Sequence, residues 1–197
     1  MRSPDVSLPS FRCVRVFLAL LAVLCLAGTA FGQKIELLGE TFDFRASSTS
    51  STADLNEYTP AGQNLRDWQS YVGVRTVYNV QQGSDYASAL AARYQEQYPD
   101  MPFGHGYDEK ADRYWLDYLA FPLTEVPEDQ RYLVWNFLLV EPNGNEGIIV
   151  LQYARRVRYT EAIAEGIEKM QVTEKREQWV KQLTARPIAE VLAGPKE

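Results

Sequence analysis

The sequence predicts an α+β fold, in which helices pack against a central antiparallel sheet of about five to six strands. Three observations lead to this prediction. Alternating apolar and polar residues, which are typical of strands, recur along the chain. Apolar residues at helical spacing occupy residues 85–98 and the stretch that begins at Thr160. Asn143 and Gly144 form a hairpin signal between two strand patterns, which favours antiparallel neighbours.

The first 32 residues predict a secretory signal peptide, so we expect a single α+β domain over residues 33–187. Arginines precede residues 16–32, which carry no charge, and Ala30 and Gly32 are the small residues that a cleavage site requires. The uncharged run has 17 residues, whereas a permanent membrane span needs about 20. The sequence therefore predicts a secreted or periplasmic bacterial protein, with a retained membrane anchor as the alternative.

Charge and cysteine content exclude several classes of site from the predicted domain. Cys13 and Cys25 both lie in the signal segment, which leaves no disulfide, thiolate nucleophile or cysteine metal ligand beyond it. Removing three Arg and one Asp with that segment leaves 17 basic and 25 acidic residues, a net charge of −8. Nucleic acid is therefore not an expected partner, because it demands a basic surface. No second apolar run is long enough to span a membrane after signal cleavage.

The first elements of the domain are short. Residues 34–45 predict one strand or a bent pair of strands, and residues 55–59 predict another strand that ends at Pro60. Between them, the small Ser- and Thr-rich residues 46–53 predict a loop.

A turn and a short helix are predicted after Pro60. Gly62 suits the turn, and Asn64 is a favourable N-cap for a helix over residues 65–71. Leu65 and Trp68 are spaced to share one face of that helix and would enter the core. Gln63 has no structural role in this interpretation.

The middle of the domain predicts a strand, a helix and a loop in turn. Residues 72–80 alternate as a strand with one buried face, and residues 85–98 carry the apolar stripe of an amphipathic helix. Residues 99–111 are rich in Pro and Gly and predict a long irregular loop.

Three strands and a helical segment complete the chain. Residues 113–121, 131–141 and 147–159 are apolar on both faces near their middles, which is typical of strands in the centre of a sheet. A helix is predicted from Thr160, with a break near residue 172 and a second helical stripe that ends at Pro187. Residues 188–197 are predicted to be a loose C-terminal tail.

His105 is the only histidine and the first candidate for a site. It lies between two glycines in the predicted loop, and Asp108 and Glu109 follow it closely. It would serve a hydrolase or metal-dependent enzyme as a general base or metal ligand. The alternative is an exposed loop residue, because no second histidine or cysteine accompanies it.

The arginines near residue 156 are the second candidate. Arg156 and Arg158 share one face of a strand, whereas Arg155 points to the other, so the pair is a candidate anion site. The alternative is a set of surface ion pairs. Separately, a surplus of Tyr side chains, Tyr107 and Tyr114 among them, leaves room for a cleft between sheet and helices. Such a cleft could bind a sugar, a peptide or a hydrophobic ligand, as in a soluble carrier of a small ligand.

One motif supports a resemblance to known proteins. Tyr58, Pro60, Gly62, Gln63 and Trp68 form a Y-x-P-x-G-Q-x-x-x-x-W pattern. In this feature the chain resembles small exported bacterial domains of uncharacterised function. The order of elements over residues 36–186 is also similar to the PsbP-type α+β fold. The resemblance implies no catalytic residue. Separately, the motifs in the sequence predict no metal site and no cofactor.

The sequence therefore predicts an exported binding or assembly module of the cell envelope, with an unknown protein or small ligand as partner. The hydrolase that uses His105 and the small-ligand carrier are the alternatives. The candidate ligand-binding residues are Tyr58, Gln63, His105, Arg156 and Arg158.

Overall fold

The computed structural model describes residues 34–80, 82–99, 103–121, 127, 131–159 and 171–194. The predicted signal peptide lies outside these residues. The helix predicted from Thr160 also lies outside them, over residues 160–170. Among the described residues, no helix has the length and apolar character to cross a membrane.

A single antiparallel sheet of eight strands dominates the described part of the chain, with the spatial order β1-β2-β3-β4-β8-β7-β6-β5. The strands are β1 (Ile35–Leu37), β2 (Glu40–Thr49), β3 (Ala53–Pro60), β4 (Ser70–Tyr78), β5 (Phe103–Asp108), β6 (Arg113–Ala120), β7 (Tyr132–Pro142) and β8 (Gly147–Arg158). The described helices are α1 (Gly83–Gln97), α2 (Val172–Thr184) and α3 (Ile188–Ala193).

The predicted α+β class with a sheet of five to six strands is wrong. Strands hold 49% of the described residues and helices 24%, so the fold is more nearly all-β. Two segments predicted as loops account for the difference. Residues 46–53 extend β2 and begin β3, and residues 99–111 contain β5. Residues 46–53 are exposed or half-buried and β5 is an edge strand, so burial imposes no strong apolar alternation on either segment and their composition did not indicate strands.

The predicted helix over residues 65–71 is also absent, because residues 61–69 form turns and bends that lead into β4. Asn64 Oδ1 accepts hydrogen bonds from the backbone N–H groups of Arg66 (2.9 Å) and Asp67 (3.0 Å), as an N-cap would. The turn does not propagate, since Arg156 takes the carbonyl groups of Arg66 and Trp68 that a helix would use.

Each face of the sheet has its own core. Helices α2 and α3 cover one face, whose buried residues include Phe42, Val72, Leu133, Trp135, Phe137, Leu139, Leu151 and Tyr153. Helix α1 covers part of the other face, whose buried residues are Ala87, Leu116, Tyr118, Leu138, Val140, Ile148 and Val150. The apolar middles of β6, β7 and β8 thus reflect burial on both sides, as predicted for central strands.

The C-terminal segment is packed and not a loose tail as far as residue 193. Pro187 precedes α3, and Ile188 and Val191 are buried at 0% and 2% exposure. Proline lacks the N–H that the first residues of a helix leave unpaired, so Pro187 marks the start of a helix and not only the end of one.

Candidate functional site

A cavity of about 380 Å³ lies between helix α1 and the edge of the sheet formed by β5 and β6. We call it the α1–β5 groove. Its lining residues are Ala87, Ser88, Ala91, Ala92 and Gln95 of α1, Phe103, His105, Gly106 and Tyr107 of β5, and Tyr114, Trp115 and Leu116 of β6. The volume lies at the small end of the range for pockets that bind small molecules, about 300–1,000 Å³.

The sequence of α1 explains why the groove exists. Ala87 and Ala91 are four residues apart and lie on one helical face, so both contribute only a methyl group to the wall. The larger Leu90 and Tyr94 pack on the core of the face that α1 covers, where the rings of Tyr94 and Tyr118 stack with their centroids 4.0 Å apart. Small side chains on the β5 side of α1 therefore leave space that large ones fill elsewhere.

The pairing of β5 with β6 decides which side chains face the groove. Phe103 pairs with Tyr118, His105 with Leu116, and Tyr107 with Tyr114. Alternate residues of a strand share a face. Phe103, His105 and Tyr107 therefore lie on the α1 side of the sheet.

The aromatic rings of β5 and β6 are in mutual contact. Tyr107 stacks on Tyr114 with ring centroids 4.1 Å apart, and Phe103 contacts His105 at 5.6 Å. Tyr107 remains 46% exposed, and its hydroxyl donates to Asp112 Oδ1 at 3.1 Å. The hydrogen bond with Tyr114 raises the pKa of Tyr107, and partial burial and the hydrogen bond with Asp112 add to this shift.

The lining residues include no Asp, Glu, Lys or Arg among those that the structure describes. The chain as a whole has 20 Lys and Arg residues and 26 Asp and Glu residues. The groove is thus a neutral, largely aromatic surface on an acidic molecule.

His105 belongs to this groove, but the structure does not pair it with Asp108. The two residues are three apart on β5, so their side chains point to opposite faces. Asp108 Oδ1 instead accepts from the backbone N–H groups of Lys110 (3.0 Å) and Ala111 (3.4 Å). Within the described ranges, no group of three His, Cys, Asp or Glu side chains is placed to hold a metal ion.

Arg156 has a structural position. Its guanidinium lies between the rings of Trp68 (4.4 Å) and Tyr132 (4.2 Å) and donates to the carbonyl oxygens of Trp68 and Arg66. Burial lowers its pKa below the ordinary value for arginine. Arg158 lies 5.6 Å from the ring of Tyr132 and is exposed. The donors of Arg156 thus hold residues 61–69 against the sheet.

The other two candidates also have structural contacts. Gln63 Oε1 accepts a hydrogen bond from the backbone N–H of Gln69 at 2.6 Å. This bond closes the segment from residue 63 to residue 69 and gives Gln63 a structural role that the sequence did not indicate. Tyr58 is 6% exposed and meets Phe44 edge to face at 5.7 Å, and burial raises its pKa. Tyr58 faces the core covered by α2, opposite His105, so the five predicted residues do not form one site.

Sequence reasoning singled out His105 and counted Tyr107 and Tyr114 among the tyrosines of a possible cleft, but it did not bring the three together in one site. The alternation of Phe103, His105 and Tyr107 is a strand signal that Gly104 and Gly106 hide. Both glycines are required by packing. A Cβ at Gly106 would lie 2.4 Å from Trp115 Nε1, and one at Gly104 would lie 2.4 Å from Asp117 Oδ1. The alternation could have been found, whereas the opposite wall on α1 could not.

The described residues thus form a strand-rich domain with a groove of about 380 Å³ beside one edge strand. The chain belongs to an uncharacterised protein family, whose model matches residues 30–188. This confirms the expected uncharacterised domain, while the similarity to the PsbP-type fold stays a prediction. No curated protein and no solved structure matches the chain.

Proposed function

We propose that this chain is an exported bacterial binding module of the periplasm or cell envelope, and that its ligand occupies the α1–β5 groove. The observation that carries the proposal is the groove itself, a cavity of about 380 Å³ with one aromatic wall on β5 and β6 and one wall of small side chains on α1. Concave, mostly apolar sites with a few polar groups are where proteins usually bind small molecules.

The groove is built on regular elements, which suits a binding site. One wall is a helix of 15 residues and the other is two paired strands. Sites on helices and strands hold their side chains more closely than sites on loops do. The small volume favours a small molecule over a folded protein partner, so the carrier hypothesis is the form of the proposal that we pursue.

A co-purification experiment tests the binding proposal. Ala91→Trp places an indole in the groove, whereas Ala89→Trp makes the same change at an exposed position of α1 outside the lining. Mass spectrometry of small molecules bound to each purified protein should find a ligand on the wild type and on Ala89→Trp, and none on Ala91→Trp. Circular dichroism checks that all three fold. Equal ligand content on both variants would place binding elsewhere and reject the proposal.

Export is proposed from residues 1–32 and is tested separately. Fractionation of the producing bacterium should place the protein in the periplasm or medium, and N-terminal sequencing should begin at Gln33. Recovery in the cytosol with residues 1–32 attached would reject export. The hydrolase alternative is not pursued, because Asp108 does not orient His105.

A further inference from the structure

We infer that the α1–β5 groove binds a neutral saccharide; this rests on the proposed function and specifies the ligand class. Three properties of the lining support it: the lack of charge, the presence of neutral hydrogen-bonding groups, and an exposed aromatic ring held in place. The first two properties each disfavour a different class of ligand, and the third supplies a surface on which a sugar ring can stack.

The lack of charge excludes ionic ligands. The described lining residues contain no Asp, Glu, Lys or Arg, in a chain whose net charge is −6. A charged ligand that enters the groove would lose water and find no counter-charge there. The net negative charge of the molecule disfavours anions further. The groove is therefore complementary to a neutral ligand.

The polar groups of the lining disfavour a purely apolar ligand. Ser88, Gln95 and His105 are exposed side chains of the lining, and none forms a hydrogen bond with another residue in the described structure. An apolar ligand would strip water from these groups and replace no hydrogen bond. Sugar hydroxyls both donate and accept, so they match a hydroxyl, a carboxamide and an imidazole.

Tyr107 supplies the surface on which a sugar ring can stack. Tyr114 covers one side of the ring at 4.1 Å, and Asp112 accepts from the phenol at 3.1 Å. These contacts fix the ring while 46% of the residue stays exposed. The face of an aromatic ring is electronegative and attracts the weakly positive C–H groups on one face of a pyranose. Tyr107 is thus an oriented stacking platform beside neutral hydrogen-bonding groups.

The first experiment compares ligand classes on the full chain. A glycan array that displays neutral and acidic oligosaccharides should retain the protein on neutral ones. Isothermal titration calorimetry with the best neutral oligosaccharide, and fluorescence titration with the neutral apolar probe N-phenyl-1-naphthylamine, then compare affinities. We expect the saccharide to bind and the naphthyl probe to bind more weakly. Tryptophan substitution at Ala91 should abolish saccharide binding, and substitution at Ala89 should not.

A second pair of variants tests the stacking role. Tyr107→Leu removes the ring and should weaken saccharide binding about tenfold. Tyr107→Phe keeps the ring and loses only the hydroxyl, with its hydrogen bonds to Asp112 and Tyr114, so its affinity should stay within about threefold of the wild type. Equal losses for the two variants would overturn the stacking role.

The outcomes separate this inference from the proposed function. If only acidic glycans or only the naphthyl probe bind, and Ala91→Trp abolishes that binding, the saccharide inference is overturned while the groove remains a binding site. If the Ala91→Trp variant still binds the saccharide, the assignment of the ligand to this groove is overturned. If no glycan is retained, the inference also fails, and the co-purification experiment still decides whether the groove binds anything.

Discussion

Arg156 is the residue that explains the segment between β3 and β4. Its Nη2 donates to the carbonyl oxygen of Arg66 at 2.8 Å, its Nε donates to that of Trp68, and its side chain is 11% exposed. Trp68 in turn contacts Tyr71 at 5.4 Å. A single cation thus satisfies two carbonyl groups in a segment without regular structure, and its ring contacts add to that stabilisation.

Replacement of Arg156 should therefore destabilise the protein. Arg156→Met keeps much of the length of the side chain and leaves both carbonyl groups without their donor, so we expect a loss of about 2–4 kcal/mol in the free energy of unfolding. Arg158→Met removes the same charge from an exposed position of the same strand and should lose less than about 1 kcal/mol. Urea unfolding measures both, and equal losses would contradict the structural role of Arg156.

At the scale of elements, an ion pair between a buried carboxylate and a partly exposed guanidinium attaches helix α2 to the sheet. Asp117 on β6 is 2% exposed and accepts from Arg176 Nε (2.6 Å) and Nη2 (2.7 Å), and from Trp135 Nε1 (3.0 Å). A Cβ at Gly104 would lie 1.9 Å from Arg176 Nη2, so β5 leaves room for the arginine. The pair therefore joins α2, β5, β6 and β7 at one point.

A double-mutant cycle measures how strongly this pair is coupled. Arg176→Leu leaves the buried carboxylate of Asp117 without its cation and should cost about 1–3 kcal/mol, less than for a fully buried pair because 38% of the Arg176 side chain is exposed. The double variant Asp117→Leu/Arg176→Leu should lose less than the sum of the two single losses, with a coupling energy of about 1–3 kcal/mol. Urea unfolding of the four proteins gives these values. Additive losses would mean that the two side chains stabilise the protein independently.

Glu141 connects β7 to the C-terminal helix. Its Oε2 accepts from the backbone N–H of Ile188 at 2.9 Å, and Arg113 Nε lies 2.9 Å from its Oε1. Arg113 also donates to the carbonyl oxygen of Thr184 at 3.0 Å, at the end of α2. Burial raises the pKa of Glu141 above its ordinary value of 4.5, although the contacts with Ile188 and Arg113 oppose the shift.

The raised pKa of Glu141 predicts the sign of a pH effect. The folded protein holds this proton more tightly than the unfolded chain does, so the contribution of Glu141 to stability is greatest below pH 4.5 and falls as pH rises through the raised pKa. The difference in unfolding free energy between the wild type and Glu141→Gln should therefore decline as pH rises from about 4 to 7.

Chemical denaturation at several pH values gives this difference. Glu96→Gln, at an exposed position of α1, serves as the control and should show a flatter difference over the same range. A wild-type advantage that grows with pH would contradict the direction of the shift.

For the whole molecule, the order of strands predicts how local stability is distributed. Strands β4, β7 and β8 have a partner on each side, whereas β1 and β5 are the two ends of the sheet. The amide groups of β7 and β8 should exchange with solvent most slowly, and those of β5 several-fold faster or more. Native-state hydrogen exchange followed by NMR measures this. Protection of β5 equal to that of β7 would show that its outer edge is covered.

The sequence could predict those elements whose own pattern of apolar residues reflects their burial. The strands at 72–80, 113–121, 131–141 and 147–159 were found within a few residues of β4, β6, β7 and β8, because burial of central strands requires apolar side chains. Helix 85–98 was found as α1 for the same reason. The site was only partly predictable, since His105 was singled out as the sole histidine, and Tyr107 and Tyr114 as two of many tyrosines, without the strand pairing that joins them or the opposite wall.

By itself the sequence determined the central strands, the first described helix and the lack of cysteine chemistry in the domain. Only the tertiary structure decided that Gly104 and Gly106 belong to a strand, since the reason for both glycines is the bulk of Trp115, Asp117 and Arg176 on neighbouring elements. It also decided that residues 61–69 are not a helix, because the competing hydrogen-bond donor is Arg156, 88 residues after Trp68. Local composition does not show which residues distant in sequence will be in contact, and the groove depends on such contacts.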